Sequence, residues 1–298
     1  MRSLSLLLLL TCALAQAQVR QYYLAAEEEV WDFAPSGQNL VHCYPEPEPC
    51  ALPEPWKDNH RFPMLRFVQY HDPSYTSRVP QPEWLGILGP ILRAEVGDTL
   101  YVRLCNRTQR PVSLHPHGLR YAKEHEGAHY AGVNSGQRPG VGAAVPPGAC
   151  FDYEWLADEE SGPGFMELSS KVWWYHSHIH EPSDVNAGLL GPIIVTRRGE
   201  AKPDASPKDV DLELVTAFFV FDLLHGEEAG LMHSINGYIF GNLKGLILPY
   251  GKKVRWHVLT MGNEVDLHTV PSDLLIPSCS PRNKANFLLH RGALPEGL

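Results

Sequence analysis

The sequence predicts an all-β protein built of Greek-key β-sandwich domains. Apolar and alternating runs are short and are separated by Gly/Pro turns. The phrase Gly86-Ile87-Leu88-Gly89-Pro90-Ile91-Leu92 recurs as Gly188-Leu189-Leu190-Gly191-Pro192-Ile193-Ile194, two apolar strands entered through glycine. A helix is expected at one place only, a short one at residues 183–187. Many short strands at such spacing point to a sandwich or Greek-key barrel.

The elements follow in chain order. Residues 22–28 read as a first strand. Gly97-Asp98 makes a turn, and residues 99–105 then alternate, with Leu100, Val102 and Leu104 on one face. Pro146-Pro147-Gly148 turns the chain into a strand at 150–155, and residues 172–175 lead into a histidine pair. A polar linker at 197–208 precedes a strongly apolar strand at 212–221, with further strands at 235–241 and 253–259. The expected organisation is a leader at 1–17, a complete sandwich at 19–198, an incomplete one at 209–270 and a tail at 271–298. About sixty residues fall short of the roughly one hundred of a closed sandwich. The tail has turn formers and no strand rhythm, and is expected to be disordered or loosely attached.

The formal net charge is −9 with no basic block, which argues against nucleic-acid binding. Arg2, the apolar run from Leu4 to Leu10 and Ala13-Leu14-Ala15-Gln16-Ala17 read as a secretory signal peptide cleaved after Ala15 or Ala17. That run is too short to span a membrane, and no later segment is long and apolar enough. A soluble, secreted, extracellular product is expected.

Secretion permits disulfides. Cys12 leaves with the leader, so Cys43, Cys50, Cys105, Cys150 and Cys279 remain. Cys43 and Cys50 flank a proline-rich loop and are one candidate pair; Cys105 and Cys150 are another. Spacing alone leaves the connectivity open. Asn106-Arg107-Thr108 is a glycosylation sequon at the end of a strand, where an exposed position is expected.

Two histidine pairs carry the chemistry: His115-Pro116-His117 and His176-Ser177-His178. In an extended segment residues i and i+2 point to one side. Each pair can aim two imidazoles at one point, and two such strands can aim four. Neutral imidazole is a preferred ligand for copper, zinc, iron and nickel. One His-x-His is more often a surface accident; two pairs, each followed by glycine-rich apolar sequence, favour a metal site.

From about Val19 to Val270 the chain resembles the vertebrate multicopper ferroxidases, the ceruloplasmin and hephaestin group. The resemblance rests on Ser113-Leu114-His115-Pro116-His117-Gly118, Lys123-Glu124-His125-Glu126-Gly127-Ala128, Trp174-Tyr175-His176-Ser177-His178-Ile179, Ser234-Ile235-Asn236-Gly237-Tyr238 and the stretch from Met261 to Val270. It implies cupredoxin-like β-sandwiches and a copper centre of one blue copper plus a three-copper cluster held by eight histidines. By resemblance His115 would hold the type 2 copper, and His117, His176 and His178 the type 3 pair. His268 matches a blue-copper ligand. Glu228 and His233 match two positions of the family's iron site. Fe(II) and O2 are the substrates the resemblance implies.

The chain departs from the family pattern in several places. The His-x-His-Gly that follows the match to Val270 is absent, as is the later His-Cys-His. Four of eight cluster histidines and one blue-copper ligand are present, without the cysteine thiolate a blue site needs. The second domain resembles the family's last one, with Pro249 where the family's second domain carries a disulfide cysteine. Ser170 and Thr196 stand where the family's first domain has a disulfide, and residues 131–144 lack the acidic residues the family uses for calcium.

Four function classes follow. One is a ferroxidase-type oxidoreductase that oxidises Fe(II) and reduces O2 to water, which the motifs support for the gene and not for this chain acting alone; a partner chain could supply the missing ligands. Another is a secreted copper-binding module without turnover, a truncated or splice product. A non-enzymatic A-domain, as in coagulation factors V and VIII, fits less well, because those proteins largely lack the paired histidines. A zinc enzyme would need three ligands and an open position, which four histidines can imitate.

Overall fold

The computed structural model describes residues 17–41, 50–128, 141–224 and 230–261, and the backbone of 287–291. The strands run β1 (Val19–Asp32), β2 (Arg61–Tyr70), β3 (Leu92–Glu95), β4 (Thr99–Asn106), β5 (His115–Pro116), β6 (Cys150–Leu156) and β7 (Ser170–His176). A short helix, α1 (Glu181–Asn186), precedes β8 (Leu190–Thr196), β9 (Leu212–Asp222), β10 (Leu231–Ile235), β11 (Val254–Met261) and β12 (Phe287–Arg291). Three four-stranded sheets result, in the orders β2-β1-β4-β6, β3-β8-β7-β5 and β10-β9-β11-β12. The fold is all-β and cupredoxin-like. Among the described residues no helix is long and apolar enough to cross a membrane.

The first two sheets face each other across one core. Leu24, Leu100, Val102, Leu104, Tyr153 and Trp155 come from one side, and Leu92, Tyr175, Ile193 and Val195 from the other. The alternation of residues 99–105 is thus realised, with Leu100, Val102 and Leu104 fully buried. Each fully buried apolar side chain of this size contributes about 1.5–3 kcal/mol. Cys105 and Cys150, opposite each other on β4 and β6, form a disulfide.

The outer face of the second sheet is covered as well. Val172, Trp174, Leu190 and Ile194 pack against Val215, Ala217, Phe219 and Phe221 of the third sheet. A sheet buried on both faces needs continuous rather than alternating hydrophobicity, and every residue of β8 is buried. This explains the unbroken apolar phrase at 188–194.

A buried polar network fastens the third sheet to the second. Ser170 and Thr196 face each other across β7 and β8. The Ser170 hydroxyl donates to Glu213 Oε1 at 2.7 Å and accepts from Arg255 Nη1 at 2.7 Å. Glu213 also pairs with Arg93 and accepts from His257 Nε2 at 2.8 Å. Arg255, fully buried, donates to Ser169 and Asp209.

Several expectations need correction. Residues 86–91 are not strand; the chain passes buried and irregular, Pro90 supplies no N–H, and β3 starts only at Leu92. Ile235 ends β10, and residues 236–241 are not a strand either. Asn236 and Gly237 both have positive φ, and Ile235 and Tyr238 bond reciprocally, which makes a type I′ turn. The strand β2 was not expected, because Pro63 interrupts its pattern; β2 lies at a sheet edge, where proline is tolerated. Within the tail, the backbone of Phe287–Arg291 pairs in parallel with β11, whose edge groups offer partners. The rest of the tail and residues 1–16 lie outside the described residues.

Candidate metal centre

The two histidine pairs meet at the end of the second sheet. His115 lies directly opposite His176 in the antiparallel β5–β7 ladder. The His117 amide donates to Trp174 O at 2.8 Å, and His178 continues past β7 to bridge with Ala128. Pro116 sits on the edge strand β5, where its missing N–H leaves no ladder bond unmade.

The four rings form one cluster. Ring centroids are 5.0 Å apart for His117–His176 and for His115–His178, and 5.3 Å for His115–His117. His115–His176 and His176–His178 are each 5.6 Å apart. His117 Nε2 and His176 Nε2 are 2.8 Å apart.

In two of the rings the Nε2 nitrogen is fixed by a bond at the other side of the ring. His115 Nδ1 lies 2.7 Å from Glu126 O, and His176 Nδ1 lies 2.9 Å from Ser177 O. A carbonyl can only accept, so both Nδ1 atoms carry the proton and both Nε2 atoms carry a lone pair. The proton between His176 Nε2 and His117 Nε2 then belongs to His117. Gly127 permits the Glu126 carbonyl to reach His115. Its φ is +72°, and a Cβ there would sit 2.1 Å from Leu114 O.

Electrostatics keep His115, His117 and His176 neutral. Burial pushes His115 down to about 4, His117 to about 3 and His176 to about 4. Repulsion from neighbouring rings adds to this, while the Glu126 and Ser177 carbonyls oppose it at His115 and His176. Neutral imidazole with an exposed lone pair is the ligand form for a transition metal. Among the described residues, however, no three His, Cys, Asp or Glu side chains gather to hold one ion. Imidazole is a donor that copper accepts, so the residues present fit that metal, with fewer than three ligands offered to any one ion by the described residues.

Sequence reasoning missed the surroundings of the cluster. Glu181, at the start of α1, places its carboxylate 3.5 Å from His178 Nε2 and 3.7 Å from His176 Nε2. Tyr121 lies edge-on to His115. Ser113, Ser177 and Asp184 form a hydrogen-bonded group behind the rings. The only signal for Glu181 was its place three residues after His178.

The other candidate residues lie elsewhere. Cys43, Glu228 and His268 fall outside the described residues, so the Cys43–Cys50 pairing and the blue-copper and iron assignments lie there too. His233 is exposed on β10, opposite Val220. The exposed position expected for Asn106 is corrected: the side chain is buried. Its Nδ2 donates to Arg110 O and Val145 O, and its Oδ1 accepts from the Thr108 amide and hydroxyl. The sequon's own threonine thus completes a buried turn.

Residues 85–200 match the multicopper oxidase family. The chain belongs to that family, in its hephaestin and ceruloplasmin-like group. Human hephaestin is 35% identical over 287 residues, covering 86% of this chain and 25% of hephaestin. Mouse ferroxidase HEPHL1 is 34% identical over 287 residues, with 86% and 25% covered. The chain thus spans about a quarter of the length of these relatives. A crystal structure of a multi-copper oxidase from Pseudomonas thermotolerans superposes with a TM-score of 0.51 at 20% identity, covering 84% of this chain and 48% of that one. This last likeness speaks for the fold alone.

Proposed function

We propose that His115, His117, His176 and His178 form half of the three-copper site of a ferroxidase-type multicopper oxidase. We propose further that these 298 residues, acting alone, hold copper without turnover. The observation that supports this is the convergence of four imidazole rings, with the Nε2 lone pairs of His115 and His176 fixed by backbone carbonyls. Copper, when bound, supplies one-electron exchange that takes electrons from Fe(II) and delivers them to O2. The chain's residues bind and orient. His115 is assigned to the type 2 position, and His117, His176 and His178 to the type 3 pair. Burial keeps the second, charging proton off His115, His117 and His176, so metal need not compete with imidazolium formation there at neutral pH.

Turnover needs groups that this sequence does not contain. A second His-x-His-Gly, which would follow Val270, and a His-Cys-His segment are absent from it, and a blue site requires a thiolate. A partner chain or a longer form of the chain would supply them. His268, Glu228 and His233 are assigned to blue copper and iron by resemblance alone. The leader-like residues 1–17 and the Cys105–Cys150 disulfide support an extracellular setting.

The test is to purify the chain, load Cu(II), and record copper content, absorption and Fe(II)-dependent O2 uptake. About one or two bound ions, no intense blue band and no catalytic O2 uptake are expected. His115→Ala with His117→Ala should lose the copper. A blue thiolate band with catalytic O2 uptake overturns the no-turnover reading, and a chain that takes up no copper overturns the site.

A further inference from the structure

Behind the imidazole cluster lies a buried set of hydroxyls and one carboxylate. Ser177 stands between His176 and His178, so strand alternation turns its side chain away from theirs, and it is fully buried. Its hydroxyl oxygen accepts from the Ser113 amide at 3.1 Å and donates to Asp184 Oδ2 at 2.7 Å. The Ser113 hydroxyl accepts in turn from the His178 amide at 2.9 Å. Asp184 is buried on α1, and its Oδ2 also accepts from the His180 amide at 3.3 Å. Arg110 Nη2 lies 3.2 Å from its Oδ1.

These bonds join parts of the chain that are far apart in sequence. Ser113 is two residues before His115, and Ser177 lies inside the other pair, 64 positions later. The ladder sets His115 opposite His176, but it ends there. Past its end, the His178 backbone is tied to the His115 segment by Ser113 and by the bridge to Ala128. A serine hydroxyl rotates freely in isolation. The Asp184 carboxylate, an acceptor only, fixes its proton and so turns the Ser177 oxygen lone pairs toward the Ser113 amide.

We propose that Asp184, acting through Ser177 and Ser113, is the positioning residue that sets the separation of the two His-x-His pairs and hence their affinity for copper. This rests on the copper reading above. Partners behind metal ligands typically alter metal affinity by about 10–100-fold when removed. The hydrogen bonds of the group reach the ligand segments at the Ser113 and His178 backbone amides, and the effect here is transmitted through them.

The experiment compares the full chain with Ser177→Ala, Asp184→Ala and Asp184→Asn. Cu(II) affinity is read by competition with a chromophoric chelator, ligand geometry by electron paramagnetic resonance, and apo stability by urea unfolding. Ser177→Ala and Asp184→Ala should each weaken Cu(II) binding by about 10–100-fold and change the resonance parameters. Asp184→Asn keeps an acceptor oxygen for the Ser177 hydroxyl, and should stay much closer to the unsubstituted chain in both. Should Asp184→Ala not fold, Ser177→Ala decides. Variants that lose apo stability while affinity and resonance stay unchanged would reduce the group to a structural brace and overturn the proposal. No copper binding by the unsubstituted chain would instead overturn the copper reading itself.

Discussion

Replacing Glu213 by Gln tests how the third sheet is held. The Glu213 carboxylate accepts from Ser170 Oγ at 2.7 Å and His257 Nε2 at 2.8 Å, and pairs with Arg93. All three neighbours are donors. A Gln amide keeps the volume but sets an NH2 among them and removes the charge opposite Arg93. Breaking a buried pair by removing one partner costs about 3–5 kcal/mol. Burial opposes ionisation of Glu213, yet the His257 hydrogen bond, the Arg93 guanidinium and the Ser170 hydroxyl outweigh it and hold the carboxyl at about 2. Against its ordinary 4.5, that corresponds to a stabilisation on the order of 3 kcal/mol at neutral pH.

The sign follows from a lowered folded value. This stabilisation is fully present above pH 4.5 and is lost as the pH falls toward about 2. His257 acts in another window. Burial lowers its value below the ordinary 6.5, so it costs stability as the pH falls below 6.5, with or without Glu213. Urea unfolding followed by tryptophan fluorescence at neutral pH, pH 4.5 and pH 3 separates the two. Glu213→Gln should lower stability by about 3–5 kcal/mol at neutral pH and flatten the dependence below pH 4.5. Copper uptake should survive at neutral pH, since the imidazole cluster lies on β5, β7 and the loops beyond them. A loss below about 1 kcal/mol, within the range of an exposed pair, with parallel pH curves would refute this account.

Asn106→Ala should cost about 2–3 kcal/mol by stranding its buried partners. The folded chain, expressed through a secretory pathway, should show no mobility shift on glycosidase treatment, because a glycan on Nδ2 cannot occupy that buried turn; a shift would contradict the burial. Replacing Cys105 and Cys150 together by Ala should lower stability by up to about 4 kcal/mol, the loop-closure value for a 45-residue separation, measured by urea unfolding. Gly127→Ala, in a left-handed conformation against Leu114 O, should displace the Glu126 carbonyl from His115 and weaken copper uptake by chelator competition.

Local patterns proved legible in the sequence. Strand parity alone places Leu100, Val102 and Leu104 on one buried face, and it puts both histidines of each pair on one side of the chain. Asn236-Gly237 was equally legible as a hairpin turn, but the apolar residues around it read as strand. Pro63 hid β2, because a proline in a strand pattern argues against a strand unless the strand lies at an edge, and edge position is a property of the assembled sheet.

What stayed hidden depends on partners distant in sequence. Asn106 looked like an exposed sequon, yet the amide that makes it a sequon also satisfies Val145 O, 39 positions on. Ser170 and Thr196 read as the empty places of a lost crosslink. In the fold they face each other, and each has become a polar anchor: Ser170 to Glu213 and Arg255, Thr196 to Ala205 O at 2.6 Å. A disulfide there would tie β7 to β8, which already share a ladder. The hydroxyl of Ser170 instead reaches β9 and β11. Where a disulfide would act within one sheet, the Ser170 hydrogen bonds act between two. The grip between those sheets therefore depends on the protonation of Glu213, as a disulfide at the same place would not.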